Sequence, residues 1–397
     1  MNIGIYGGTF DPPHWGHITA AKAAMEQLKL DRLVVIPDRV PPHKALPEGS
    51  ASPEQRLEMA VLATAELGKK AEVSDRELRR EGPSYTADTL EELRREYPED
   101  TLWLLMGSDM FLSLETWHAP EQVMALANIG AFSRETDDES AAFDAQKERL
   151  ERRYGARVQI VKNPEVRELS STEVRAALAA GQGGGLVTPP VYGYILREQL
   201  YGTDAVLTGL TPDELRPIAL SYLKPKRMPH VLGTEQEAVR LTRRYGGDET
   251  QARVAALLHD CTKKLDMAEQ LALCERYGIE LDELEQKALK LLHSKTGAAI
   301  ARDVFGVEDA VYDAILYHTT GKPDMTRLEK IIYLADYIEP TRDFPGVEEL
   351  RRVVYEDLDR GLLMGLSMTI QEMEEMGNPV HHMTRDARDY LLKRGIR

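Results

Sequence analysis

Residues 7–17 read GGTFDPPHWGH, a run whose residue types suit an anion. Gly7 and Gly8 let backbone N–H groups approach a ligand with no Cβ in the way. His14 and His17 are three residues apart, so they face one side where a helix begins, and each can donate a hydrogen bond to an oxyanion. The apolar run Ile3–Tyr6 precedes the stretch and the helical pattern ITAAKAAMEQLKL follows it. A glycine turn between a strand and a helix N-terminus is a natural phosphate site. A second group is spread over the other half of the chain: His230, His259, Asp260, His293, His318 and Asp336. One such histidine alone reads as a satisfied core residue. Six imidazole and carboxylate groups together do not. Asp336 in particular has Leu334, Ala335 and Ile338 for neighbours, where a carboxylate is costly unless it is paired or binds metal.

The elements that must hold the first group alternate. RLVVIP (32–37), TLWLLMG (101–107), ANIGAFSR (127–134) and RVQIVKN (157–163) have strand patterns. SPEQRLEMAVLATAEL (52–67) and YTADTLEELRREY (85–97) have helical ones, the former with Ser52 as N-cap and Pro53 in its first turn. Strands separated by helices predict a parallel, doubly wound α/β sheet, whose ligands lie at the carboxyl ends of the strands. ETDDESAAFDAQKERLERR reads as a polar, solvated helix. The alternation stops at a turn-rich join near 203–210, and every later segment is helical, from PDELRPIALSYL to VEELRRVVYEDLDRGLLMGLSMTIQEM. The expected architecture is a Rossmann-like domain over 1–202 followed by an all-α domain over 208–397.

Composition narrows the classes. With 42% hydrophobic and 29% charged residues this is an ordinary globular protein, and no apolar run approaches membrane-spanning length. No signal peptide is visible, and two cysteines, Cys261 and Cys274, make no disulfide framework, so a cytoplasmic setting is expected. A net charge of −16 excludes the footprint of a general nucleic-acid binder, so phosphates must be held by local devices. A homo-oligomer is compatible with all of this.

GGTFDPPHWGH resembles the signature of bacterial nicotinate-nucleotide adenylyltransferases, within the HxGH nucleotidyltransferase superfamily. Further matches follow in order: PPHK (41–44), SYTADTL (84–90), GSDMFLSLETWH (107–118), Arg134 and LSSTEVR (169–175). The resemblance implies transfer of AMP from ATP to nicotinate mononucleotide, with Mg²⁺ assisting, for NAD biosynthesis. It implies catalytic roles for His14 and His17. It places ATP against Gly7, Gly8, Thr9, Phe10, His14, His17, Asp109, Ser170, Ser171, Thr172 and Arg175. It places nicotinate mononucleotide against Lys44, Tyr85, Thr86, Trp117 and Arg134. Nicotinamide mononucleotide and phosphopantetheine are the rival acceptors, and SYTADTL with LETWH favours nicotinate.

The order H…HD…H…H…D, with LLHD, HSKTGA, YHTTGKPDM and LEKIIYLADYIEPTRDFPGVEELR, resembles the HD-domain phosphohydrolases and among them the YqeK-like family. That resemblance implies symmetrical hydrolysis of diadenosine tetraphosphate to two ADP. It implies two transition-metal ions, iron foremost: one held by His230, His259, Asp260 and Asp336, the other by Asp260, His293 and His318, with Asp260 bridging. Imidazole with carboxylate suits iron, manganese or zinc better than magnesium. Lys263, one turn past His259, is either a phosphate ligand or a lysine at a helix end. The rival readings for this half are a phosphatase for another small nucleotide and a regulatory metal-binding module without turnover.

Overall fold

The structure is a computed structural model and describes residues 1–41, 45–133, 137–162 and 169–397. The chain forms two compact units, Met1–Asp204 and Ala205–Arg397.

In the first unit, strands β1 (Asn2–Gly8), β2 (Arg32–Pro37), β3 (Ala71–Val73), β4 (Thr101–Met106), β5 (Asn128–Ser133) and β6 (Val158–Lys162) form one sheet in the order β3-β2-β1-β4-β5-β6. Every pairing is parallel. β1 is central and buried on both faces, which is why it reads as a continuous apolar run. Ile3, Ile5, Ile36, Leu104 and Ile129 pack on one face with Leu90, Leu93 and Phe111. Tyr6, Leu33, Val35 and Leu105 pack on the other with Ala21, Ala24 and Leu28. Gly4 lets the Leu30 segment close on that second face, since a Cβ there would come within 2.5 Å of Leu30 Cδ1. The strand order reverses between β1 and β4, and such a switch point opens a crevice at the strands' carboxyl ends.

Two local features differ from expectation. β3 was not expected: it is three residues long and half-buried, too short for an alternation signal. The helix Asp137–Tyr154 is not simply solvated, because Phe143, Gln146 and Leu150 are fully buried. These residues lie three and seven apart and so form one stripe against the core, while charges occupy the remaining faces.

The second unit is built of helices joined by turns and loops, with no strand among its described residues. Helices Met228–Tyr245, Glu249–Leu258, Leu289–Phe305, Asp309–Leu316 and Arg327–Ile338 carry or adjoin the acid and imidazole groups. Capping boxes start several helices, with Thr211, Asp266 and Thr326 as N-caps. The run 347–373 is two helices rather than one: Asp357 is extended and caps the second by accepting from the Arg360 N–H at 2.9 Å. The helix His382–Lys393 closes the unit. No helix among the described residues is long and apolar enough to cross a membrane.

Candidate functional sites

A cavity of about 610 Å³ opens at the carboxyl ends of β1, β2, β4 and β5. Gly7, Gly8, Thr9, Phe10, His14, His17, Thr86, Asp109, Trp117, Ser170 and Ser171 line it. Tyr85, Thr172 and Arg175 do not line it, and Lys44 and Arg134 lie outside the described residues. Among the described lining residues none is Lys or Arg.

The two histidines are organised as a pair. Their ring centroids are 3.8 Å apart, and the backbone N–H of His14 donates to Nδ1 of His17 at 3.2 Å. An accepting Nδ1 places the proton of neutral His17 on Nε2, as a donor for an oxyanion. His14 is buried, and its Nδ1 has no hydrogen-bond partner. Burial lowers its pKa to about 4. The sign of the resulting stability effect is fixed. Below about pH 6.5 the unfolded chain takes up a proton that folded His14 refuses until about pH 4. Acidification through that window should therefore destabilise the first unit, at up to about 1.4 kcal/mol per pH unit. All three tryptophans, Trp15, Trp103 and Trp117, belong to this unit, so urea melts followed by tryptophan fluorescence report on it. His14→Asn should show a shallower loss between pH 6.5 and 4, and slopes equal to wild type would contradict this assignment.

The loop that carries the pair is fastened by groups that sequence reading missed. Arg56, fully buried, donates to the Thr9 carbonyl at 2.8 Å, to Asp38 Oδ1 at 3.0 Å and to the Arg39 carbonyl at 3.2 Å. Thr9 Oγ1 donates to Asp38 Oδ2 at 2.9 Å. Asp11 accepts from the Ala51 N–H at 3.1 Å and from the Tyr201 hydroxyl at 2.6 Å. Arg175 was expected to lie against ATP. Here it donates to the Asp11 carbonyl at 2.6 Å and to Thr172 Oγ1 at 3.2 Å, so it ties the second loop to the first. Ser170 caps the helix Ser171–Ala179, and Ser171 Oγ donates to the Pro12 carbonyl at 3.3 Å. Phe10 has φ +50° and tucks its ring beside Gly8. Tyr85 stacks on His118 with ring centroids 4.3 Å apart, at the start of the helix Thr86–Glu96. Trp117 also packs against the core. Glu77 lines the cavity too; it accepts from Thr89 Oγ1 at 2.6 Å, and burial raises its pKa.

In the second unit all six expected groups converge. His230, His259 and Asp260 form one cluster of ligand atoms, and Asp260, His293 and His318 form another. Asp336 joins His259 and His318, and its Oδ1 is 3.0 Å from His230 Nε2. Asp260 faces both clusters. Its Oδ2 is 3.6 Å from His259 Nε2, and its Oδ1 is 3.3 Å from His293 Nε2.

The geometry fits divalent metal. Nδ1 of His259 and of His318 each lie 2.6 Å from the backbone carbonyl three residues earlier, Ala256 and Ile315. Those contacts put the ring proton on Nδ1 and leave Nε2 with its lone pair inward. Burial lowers the pKa of both rings, and that of His293, which keeps them neutral. Nε2 atoms face each other at 3.4 Å (His230 and His259) and 3.1 Å (His293 and His318). Asp260 Oδ1 is buried without a hydrogen-bond partner. A cation between such nitrogens and carboxylates relieves their mutual repulsion.

Cations on the chain meet part of that demand. Arg227 Nε donates to Asp260 Oδ2 at 2.5 Å, and Arg342 Nη2 to Asp336 Oδ1 at 2.6 Å. Lys263 is partly exposed, but its Nζ reaches to 2.9 Å from His293 Nε2, and desolvation there lowers its pKa. Burial opposes the charge on Asp260 and Asp336, but neighbouring histidines and cations hold both well below the usual carboxylate range. His230 is the exception among the rings. Burial opposes its protonation, yet hydrogen bonds to Asp336 and Glu339 raise its pKa. Arg227 escaped sequence reading because an isolated Arg carries no spacing signal, and Glu339 and Arg342, though within the string LEKIIYLADYIEPTRDFPGVEELR, were given no role there.

Fold and sites together define a nucleotidyltransferase unit joined to an HD unit. A cytidylyltransferase-like family model matches residues 5–177, and an HD-domain model matches residues 227–341. The chain is 37% identical over 215 residues to a protein of Shewanella sp. (strain ANA-3) named "Probable nicotinate-nucleotide adenylyltransferase", covering 51% of this chain and 99% of that protein. It is 38% identical over 179 residues to the "Bis(5'-nucleosyl)-tetraphosphatase, symmetrical" of Halalkalibacterium halodurans, covering 44% of this chain and 95% of that protein. A crystal structure titled "predicted HD superfamily hydrolase involved in NAD metabolism" from Clostridium acetobutylicum shares 42% identity, with TM-score 0.45, over 47% of this chain and 98% of its own. The chain belongs to the nicotinate-nucleotide adenylyltransferase family in its first half and carries an HD domain in its second.

Proposed function

We propose that the chain is a two-site enzyme. The first site joins AMP from ATP to nicotinate mononucleotide. The second cleaves diadenosine tetraphosphate into two ADP.

For the first site the carrying observation is the histidine pair at the sheet's switch-point cavity. A phosphate oxygen of nicotinate mononucleotide attacks the α-phosphorus of ATP, the new P–O bond forms, and the bond to pyrophosphate breaks. No covalent nucleophile is needed, only positioning and charge neutralisation. His17 Nε2–H and the backbone at the Gly7–Gly8 end of β1 donate to phosphate oxygens, and Asp109, which lines the cavity, holds a ribose. Mg²⁺ carried with ATP offsets phosphate charge. Thr86 opens a helix beside the cavity, whose N-terminus favours the carboxylate of nicotinate over the neutral amide. The expected result is a clearly higher kcat/KM for nicotinate than for nicotinamide mononucleotide. Equal values would remove the substrate assignment.

For the second site the carrying observation is Asp260, whose two oxygens face two separate histidine clusters. His230, His259, Asp260 and Asp336 would hold one metal, and Asp260, His293 and His318 the other. Such a pair supplies Lewis-acid polarisation of the phosphate and activation of water. The chain's own part is to keep His259, His293 and His318 neutral, to orient all four rings, and to offer Lys263 to a phosphate oxygen. One water adds across the central P–O–P bridge, which breaks to leave two ADP. Diadenosine tetraphosphate incubated with the metal-loaded chain in ¹⁸O water should give ADP alone, with label on ADP. AMP plus ATP would refute symmetrical cleavage, and metal uptake without any hydrolysis would favour a regulatory module.

A further inference from the structure

Each of three HD imidazoles has its Nδ1 anchored, but in two different ways. His259 and His318 use backbone carbonyls of their own segments. His230 uses a side chain 109 residues away: its Nδ1 lies 3.0 Å from Glu339 Oε1. Glu339 is fully buried. It is held in turn by Thr341, whose hydroxyl donates to Oε1 at 2.6 Å and whose N–H donates to Oε2 at 2.6 Å. A carboxylate can only accept, so His230 Nδ1 carries a proton toward Glu339, and Nε2 faces Asp336 and His259, where a metal would take the place of any proton shared with Asp336.

The approach depends on a missing side chain. Gly233 lies three residues after His230 on the helix Met228–Tyr245 and therefore on the same face. A Cβ at 233 would stand 2.4 Å from Glu339 Oε2, so the carboxylate could not stay where it is. The φ of Gly233 is not in the left-handed region, so clearance rather than backbone freedom is what this glycine provides.

We infer that Glu339 is a positioning residue for the metal site, fixing the tautomer and aim of His230, and that Gly233 exists to admit it. This rests on the reading that the HD unit holds metal. A carboxylate behind a ligating imidazole raises its donor strength and locks its ring, and loss of such a partner commonly lowers metal affinity 10–100-fold. The carboxylate would thus act through His230 without touching substrate.

The test uses the full chain with Mn²⁺ as probe. Wild type, Glu339→Gln, Glu339→Ala and Gly233→Ala are equilibrated with Mn²⁺ against a graded chelator, and bound metal is counted. Histidine ¹⁵N NMR of the metal-free chain, taken at alkaline pH where His230 is neutral, reads its tautomer. Glu339→Ala and Gly233→Ala should weaken one Mn²⁺ by about 10–100-fold, and His230 should lose its fixed Nδ1–H form. Glu339→Gln keeps an acceptor of the same shape and should fall between. If Glu339→Ala fails to fold, Glu339→Gln and Gly233→Ala carry the comparison. Wild-type Mn²⁺ affinity in folded variants, with an unchanged His230 signal, would overturn the inference. A wild-type chain that takes up no Mn²⁺ would instead overturn the metal reading beneath it.

Discussion

His17→Ala is expected to lower adenylyl transfer by on the order of 10²–10³, the loss associated with removing one preorganised donor to a developing oxyanion. Two effects combine in this substitution. The Nε2–H donor disappears, and the His14 N–H loses the acceptor that it finds at His17 Nδ1, 3.2 Å away. The His14 ring then loses the tilted partner ring that lies against it. His17→Asn separates these effects, because its side-chain oxygen can still accept from the His14 N–H. It should recover the loop's order and little of the rate. Hydrolysis in the second unit should be nearly unchanged, because the two groups of residues belong to separate compact units. Parallel assays of NaAD formation and ADP formation on the same preparation check this. An equal fall in both activities would mean that the sites are not independent.

Asp260→Ala should be the most damaging change in the second unit, and worse than Asp336→Ala. Asp260 is shared by two of the ligand groups, whereas Asp336 belongs to one. Its removal takes a carboxylate oxygen from both clusters at once and leaves Arg227 and Lys263 beside four imidazoles with less charge to balance them. Metal content after dialysis should fall toward zero in Asp260→Ala, and diadenosine tetraphosphate hydrolysis should be lost with it. Asp336→Ala should retain part of the metal, on the His293 and His318 side. Full hydrolysis by Asp260→Ala without bound metal would show that the second unit has been misread. Asp260→Asn is the informative control: it preserves shape and one oxygen, yet it cannot face both clusters with charge.

Much of this protein is written in local pattern. β1, β2 and β4 are apolar runs because a central parallel strand is covered on both faces. Helix starts at Ser52, Ser170 and Thr211 follow from side chains that satisfy free N–H groups within three residues. The motif residues could be picked out for the same reason: glycines beside paired histidines, and HD within an apolar helix end, are unusual compositions. What the sequence alone determined, then, was the kind of chemistry, the order of the elements and the identity of the groups that could carry them.

Tertiary structure decided how those groups are held. Arg56 anchoring Thr9, Arg175 turned onto Asp11, and Glu339 behind His230 are partners separated by 47, 164 and 109 positions. Arg and Glu are common on every surface, so nothing in their spacing marks these few as buried. The sequence reading of Arg175 as a residue against ATP had no way to see that Asp11 takes up its donors. Likewise Phe143 and Leu150 were lost among charges until a core was there to receive them. Short-range rules reach a few residues along the chain. A buried charge finds its counter-charge only when the packing of distant elements has excluded water from both.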